Sequence, residues 1–357
     1  MTIKLSRRRT TSRRRMRQRL TLVAAVALSL PALTCASAET AEEFYRGKTI
    51  TMLIASGSGG GYDAYARAFA RYVVKYIPGS PAIVPKNLPG AGGLITGNNL
   101  YNVAPHDGLT IGALTNQIAM DPLLGNKAAK FDAQKFGWIG SIGKQENVCV
   151  SWKGGPITSI DQVKQRQIVV GGASASSNSA VIPAMVNDLI GTKFKIVTGY
   201  KEGTGMTLAL ESGEVEAICG LSWSTLKARN PEWIRDDKLN VILQVGMKKI
   251  PGLETVPSLI DLMTNPDKKR ALKLALVRQE MGRPFATPPD TPDDRIAALR
   301  MAFDKTMKDP DFLAESKKLL LEIDPLKGEE IEALLKEAYA APPAIVEEAT
   351  QLLSPRK

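Results

Sequence analysis

The sequence predicts an α/β protein whose sheets are mainly parallel and flanked by helices. Strand-like and helix-like segments alternate through the body of the chain. Glycine-rich loops separate several of these strand-like runs from the helical pattern that follows. The last third of the chain turns to helical periodicity.

The segment "KTITMLIAS" (48–56) reads as a buried strand, dense in Ile, Leu and Thr. Behind it, Tyr65, Ala68, Phe69, Tyr72, Val73 and Tyr76 recur at i, i+3/i+4, with Arg67, Arg71 and Lys75 on the opposite face. That is an amphipathic helix to about Ile77, stopped by "IPGSP". "AIVP" (82–85) is a second strand, "NLPGAGG" a loop, and about 93–103 a helix. "PHDGL" is a turn, and "TIGALT" (110–115) a third strand. After "FGWIGSIGKQENVCVSW" a second set begins: strand 167–172, helix 177–191, strand 194–200, helix 204–213, strand 214–220 and strand 238–246. Mostly helices follow, including "PSLIDLMTN", "DKKRALKLALVRQEM" and "TPDDRIAALRMAFDKTM". In the last of these, Thr291-Pro292-Asp293-Asp294 is a helix-start signal.

The formal charge of +11 is unevenly placed. Residues 1–38 hold nine basic side chains (Lys4, Arg7, Arg8, Arg9, Arg13, Arg14, Arg15, Arg17, Arg19) and no acid. Removing them from the 47 basic residues leaves 38 against 36 acidic ones, which argues against a nucleic-acid partner. The leader has the order of a secretory signal peptide: a basic region, the apolar run "LTLVAAVALSLPAL", and Ala36-Ser37-Ala38 ahead of Glu39. Export to the periplasm is expected, by the general route or, through Ser12-Arg13-Arg14-Arg15-Met16, by a twin-arginine route. The apolar run is short for a bilayer, which needs ~20 residues. The remaining 319 or so residues suit two domains or one large one. Of the three cysteines, Cys149 and Cys219 lie beyond the leader, each in an apolar strand-like run. Both a disulfide and a pair of buried thiols fit that placement.

Several chemistries are excluded by counting. The single histidine, His106, sits beside a turn, so no two-histidine metal site is available. Cys149 and Cys219 lack C-x-x-C spacing, and "GLSWS" lacks the second glycine of a nucleophile elbow. No Gly-Lys-Ser/Thr follows Gly61, and Tyr62 stands where the dinucleotide fingerprint needs glycine. The expectation is a protein that is not an enzyme and holds no metal or cofactor. A periplasmic hydrolase is the disfavoured alternative.

Four anion-friendly loops remain, each before a helix, where unpaired N–H groups and the positive helix end face the crevice beyond the strands. They are Ser56 to Tyr62, Asn87 to Gly93, "GGASASSNSA" (171–180) and Tyr200 to Gly205. In the first, Asp63 and Arg67 stand i, i+4 and suit a structural brace worth ~0.3–0.5 kcal/mol. No arginine clamp is evident near the loops.

In this order, "GGGYDAYAR", "NLPGAGG", "PHDGLTIG", the Gly/Ser-rich loop and "YKEGTGMTLALESGEVEA" resemble the solute receptors of tripartite tricarboxylate transporters, the Bug-type family. The resemblance covers about 43–320. It implies a two-lobed, type II-like periplasmic binding protein fold with the ligand between closing lobes. Lobe one would combine 39–143 with 247–357, and lobe two would be 144–246. It implies a monomeric receptor that binds a di- or tricarboxylate or an aromatic acid and delivers it to integral membrane transporter subunits. A sensor subunit presenting the same lobes to a membrane kinase is the alternative. Carried over by position, the ligand-binding residues would be Ser58, Gly59, Gly60 and Tyr62, then Asn87 and Ala91, then Ser177. Thr115 follows the third strand and is expected to face the same cleft. Trp223, just after a strand of the second set, is either an aromatic wall for a bulkier acid or buried in its lobe. The chain differs from the family pattern in Ala55-Ser56-Gly57-Ser58, where prolines are usual, and in Ala180, where a histidine is usual.

Overall fold

The computed structural model describes Met1 and residues 39–175, 177–201 and 204–354. The leader, its apolar run and its cleavage site lie outside the described residues, as do Glu202 and Gly203 of the fourth loop. Eleven strands are present among the described residues. In chain order they are β1 (Thr49–Ile54), β2 (Ala82–Asn87), β3 (Thr110–Ala113), β4 (Gly137–Ser141), β5 (Asn147–Trp152), β6 (Ile168–Gly172), β7 (Phe194–Thr198), β8 (Ala217–Ser222), β9 (Leu239–Val245), β10 (Pro284–Thr287) and β11 (Leu326–Lys327). They form two sheets, ordered β11-β4-β10-β3-β1-β2 and β7-β6-β8-β5-β9.

The α/β class holds, with one correction: both sheets are mixed. The parallel part of each is the part built by strand–helix–strand units, β2-β1-β3 in the first sheet and β7-β6-β8 in the second. Strands that enter from the other sheet, β5 and β10, run antiparallel to their neighbours. Parallel pairing requires a crossover connection, and neither of these strands arrives through one. β10 is four residues long and bounded by proline, so its apolar pattern is too short to stand out. "PSLIDLMTN" is not a helix: Ser258 bridges to Gln244 of β9, and Gln244 N–H donates to Pro257 O at 2.9 Å. That main-chain pairing competes with the helix and wins.

Alternation explains how the first sheet packs. Ile50, Met52 and Ile54 of β1 are fully buried while Thr49 is exposed, which is the period-2 signature of a half-covered strand. Those three side chains share a core cluster with Tyr65, Phe69 and Val73 of helix Gly61–Val73 and with Leu299 and Phe303 of helix Asp293–Thr306. Phe69 sits 4.5 Å from the Phe285 ring of β10 and 5.6 Å from that of Phe303. A second cluster runs from Leu100 and Trp138 through Leu272 and Leu276 of helix Pro266–Glu280 to Ile168 and Val170 of β6. The C-terminal helix, Pro343–Leu353, packs on helix Pro266–Glu280 and also touches helix Asn178–Ile190 beside the second sheet.

Cys149 and Cys219 face each other on β5 and β8 and are joined as a disulfide. The chain passes from the first sheet to the second through 142–146 and returns through 246–283. These two segments touch. Gln145 N–H donates to Gln279 O at 2.9 Å, and Ile142 N–H to Arg283 O at 3.1 Å. Among the described residues, no helix is long and apolar enough to cross a membrane.

Candidate functional site

The first loop is held by a side-chain network more than by its own backbone. Helix Gly61–Val73 starts without a side-chain cap at Gly60. Two residues inside, Asp63 folds back, and its Oδ2 accepts the Gly59 N–H at 2.9 Å. Gly59 reaches that position at φ 80°, in the left-handed region where glycine carries no Cβ penalty. Asp63 Oδ1 accepts from Arg67 Nε at 2.9 Å and from Asn87 Nδ2 at 2.8 Å. Arg67 Nη2 donates to Asn87 Oδ1 at 2.7 Å, and Asn87 Nδ2 also donates to Ser56 O at 2.9 Å. Burial alone pushes the Asp63 carboxyl up, but the bonds from Gly59, Asn87 and Arg67 together hold it below the usual carboxylate range. Asn87, carried over as a ligand contact, thus has its amide engaged by Asp63, Arg67 and the Ser56 carbonyl. The reason lies in the register: Asn87 pairs with Ile54, so the end of β2 lies beside the turn that leaves β1.

Ser58 and Gly59 are exposed, and Gly60 is half-buried. The N–H groups of Gly60 and Gly61 meet no acceptor among the described residues, as expected for the first turn of a helix. Tyr62 ties this turn to its surroundings. Its hydroxyl donates to Gln145 Oε1 at 3.1 Å and accepts the Asn116 N–H at 3.2 Å.

In the second loop Ala91 adopts a left-handed φ of 47° and is exposed. Thr115, half-buried after β3, donates its hydroxyl to Gly92 O at 2.7 Å. A Cβ on Gly93 would come 2.5 Å from the Thr115 Oγ1, so the turn after β3 is seated directly on the second loop.

Across the molecule, Ser177 precedes helix Asn178–Ile190. Its Oγ donates to Ser174 O at 2.7 Å and lies 2.8 Å from Ser179 Oγ, which accepts the Ala173 N–H at 3.0 Å. Gly220 of β8 permits this helix start to sit low: a Cβ there would lie 2.3 Å from Asn178 O. Asn178 Oδ1 accepts from Arg278 Nη2 at 3.2 Å. Trp223 is 7% exposed and clusters with Met206, Leu226 and Trp233, so its ring belongs to the core of the second sheet and not to a cleft wall.

The sequence motifs lead to no arginine beside the first loop; the structure places Arg283 there, 5% exposed. Its guanidinium lies 4.5 Å from the Tyr62 ring centre and 4.9 Å from that of Tyr65. Nη1 donates to Gln145 Oε1 at 3.0 Å and to Gly282 O at 2.7 Å. Nη2 is 3.7 Å from where a Gly61 Cβ would be. Arg283 is missed from sequence because it comes from the returning segment, far along the chain from the glycines it touches. The available signal is a lone arginine between Gly282 and Pro284 at the mouth of a short apolar strand. Arg278, half-buried, has its basicity lowered by burial, which Asp121 and Tyr62 only partly offset.

Two open depressions lie on the surface. One of about 370 Å³ is lined by Arg300, Asp304, Lys308 and Glu329, the other of about 590 Å³ by Leu123, Leu124, Pro343 and Val346. Neither includes a residue of the glycine loops. Among the described residues, no group of three or more His, Cys, Asp or Glu could hold a metal ion.

Two mixed sheets, helix-flanked and joined by two adjacent crossing segments, are a fold that the chain shares with solved solute-binding proteins. A TctC solute binding protein from Polaromonas is 23% identical, with a TM-score of 0.65, over 83% of this chain and 96% of that one. The periplasmic binding protein BugD is 20% identical, with a TM-score of 0.61, over 86% and 98%. R. palustris Rpa4515, solved with adipate, is 18% identical, with a TM-score of 0.60, over 85% and 97%. No protein-family model and no curated protein matches the chain. The likeness in fold agrees with the likeness drawn from the order of the motifs.

Proposed function

We propose that the chain is a periplasmic solute receptor that binds an organic carboxylate between two lobes and delivers it to integral membrane transporter subunits. The lobes are 39–143 with 247–357, and 144–246. The protein acts as a monomer and as a carrier, not as a catalyst. One observation supports this most strongly: the starts of two helices on different sheets border the same returning segment. Gly61 lies beside Arg283, and Asn178 bonds Arg278. Each of the two positive helix ends thus has a guanidinium group of that segment beside it, a setting that favours an anion.

Affinity of the required size is within reach. Micromolar binding corresponds to about −8 kcal/mol, and charge-assisted hydrogen bonds contribute ~1.5–3 kcal/mol each before ordering costs. Ser58, Gly60, Ala91, Thr115 and Ser177 are the residues expected to offer the acid main-chain and hydroxyl groups. The relative solved with adipate makes linear diacids a sensible first probe.

A thermal-shift screen of the purified chain against di- and tricarboxylic acids, aromatic acids, sugars and cationic amines tests the reading. Ligand at 100 times its Kd adds ~2.7 kcal/mol, so at least one acid is expected to raise Tm by several degrees. Shifts confined to sugars or amines would overturn it.

A further inference from the structure

We propose that Glu322 and Lys227 form a latch between the two lobes, carried on a strap, residues 319–325, that lies across the first crossing segment. This rests on the two-lobe reading above and is independent of which solute is bound.

The strap joins helix Pro310–Lys318 to β11 and belongs to the side of the first sheet. Its residues alternate. Leu321 and Ile323 are half-buried against the core cluster that holds Ile50 of β1 and Phe69 of helix Gly61–Val73, while Glu322 and Asp324 are exposed. That period of two belongs to an extended segment with one face covered. The strap is fixed where it crosses 142–146. Asp324 N–H donates to Ile142 O at 3.0 Å, and Asp324 Oδ2 lies 2.7 Å from Lys144 Nζ. Gly143 allows the close approach, since a Cβ there would lie 3.1 Å from Glu322 O.

From this strap the Glu322 carboxylate reaches the side of the second sheet, where it pairs with Lys227. Lys227 stands on helix Trp223–Arg229, which directly follows β8, and Trp223 and Leu226 root that helix in the core of the second sheet. An exposed ion pair is ordinarily worth little, because holding two long side chains in one geometry costs entropy. Here much of that freedom is already removed on both sides. Tyr65 Oη accepts the Glu322 N–H at 2.9 Å and donates to Glu322 O at 3.1 Å, so the main chain under the carboxylate is clamped. The Lys227 ammonium lies 5.5 Å from the centre of the Trp223 ring, one helical turn back. Trp223 N–H in turn donates to Glu146 O at 3.0 Å, in the same crossing segment that the strap lies over.

The latch is also tied to the glycine turn. Tyr65 stands in the helix that starts there, and its ring faces the Arg283 guanidinium at 4.9 Å. Breaking the pair frees the helix after β8 to move with the second sheet, away from the strap, Tyr65 and the glycine turn. The pair therefore favours the arrangement in which the lobes are close, and with it slow release of what lies between them.

Hydrogen exchange of the full chain without ligand, read by mass spectrometry, tests the latch. Glu322→Gln, Lys227→Met (which keeps the stem on Trp223) and the double variant are compared with the wild type. Each single variant is expected to exchange about fivefold faster in peptides covering 142–146, 220–227 and 319–325. The double variant should be no faster than either single one. Raising salt from about 0.05 to about 0.5 M should speed exchange there in the wild type and not in the variants. Exchange in β1, inside the first sheet, is expected to stay as in the wild type. Faster exchange confined to 319–325 would make Glu322 a local brace of the strap. Effects that multiply in the double variant would make the two residues independent, and faster exchange in β1 as well would make the pair a support of the whole fold. Each of these, like single variants that exchange as the wild type does, would overturn the latch and leave the carboxylate reading intact. A chain that shows the expected exchange pattern but binds no acid in the screen above would overturn the carboxylate reading and leave the latch standing.

Discussion

With 4% of its surface exposed, Asp63 gives its carboxylate to three donors from three places: the turn at Gly59, its own helix at Arg67 and the end of β2 at Asn87. A loop of glycines is thereby fixed without side chains of its own. Arg67→Ala removes one donor from a buried carboxylate, and hydrogen bonds to charged groups are worth ~1.5–3 kcal/mol. The expected result is a loss of about 1–2 kcal/mol in urea unfolding, with weaker acid binding because the turn loosens. An unchanged urea midpoint would show that Arg67 is ornamental to the network. At this scale the sequence was legible where partners are near each other. The i, i+4 spacing of Asp63 and Arg67 is visible by eye. Asn87 joins them only because β2 pairs in parallel with β1, and Arg283 arrives from a segment that the pattern of the loop says nothing about.

Helices in this chain are fixed at their starts by acids as well as by glycines. Asp309 precedes helix Pro310–Lys318; its Oδ1 accepts the Asp311 and Phe312 N–H groups at 2.8 and 3.0 Å. Its Oδ2 accepts from Tyr76 at 2.8 Å and from Lys75 at 3.2 Å. Burial pushes this carboxyl up, but those four donors outweigh it and bring it down to about 2 from 3.8. Because the folded value is depressed, the stabilisation is fully present above about pH 4 and is lost as pH falls toward 2. Asp309→Ala should therefore cost ~1 kcal/mol or more at neutral pH and should make the urea midpoint less sensitive to pH between 4 and 2. A variant whose acid sensitivity in that window matches wild type would contradict this. Element type was readable where amphipathic periodicity ran long, as in helix Gly61–Val73. It failed at 257–265, where a helical-looking run is captured by main-chain bonds to Gln244, and at β10, which is too short to show a period.

The two sheets share a continuous core through helix Pro266–Glu280, and they are joined where 142–146 meets 279–283. Gly282 lets those segments touch, since a Cβ there would lie 2.6 Å from Gly143 O. Within the second sheet the Cys149–Cys219 bond links residues 70 apart in sequence. From sequence the pair could as well be two buried thiols; opposition on adjacent antiparallel strands is what brings the sulfurs together. Non-reducing peptide mapping of the unfolded protein should recover the two peptides linked, and replacing both cysteines with serine should cost ~2–4 kcal/mol. Two freely alkylated thiols would contradict the assignment. The molecule as a whole places a glycine turn, a serine-lined helix start and two arginines around one returning segment, and the account stands on an acid lying among them. A crystal structure of the chain with the acid that most raises its Tm tests this most directly. The account predicts a carboxylate within hydrogen-bond reach of the Gly60 and Gly61 N–H groups and of Arg283 Nη2. An acid bound elsewhere, with that position holding only solvent, would contradict it.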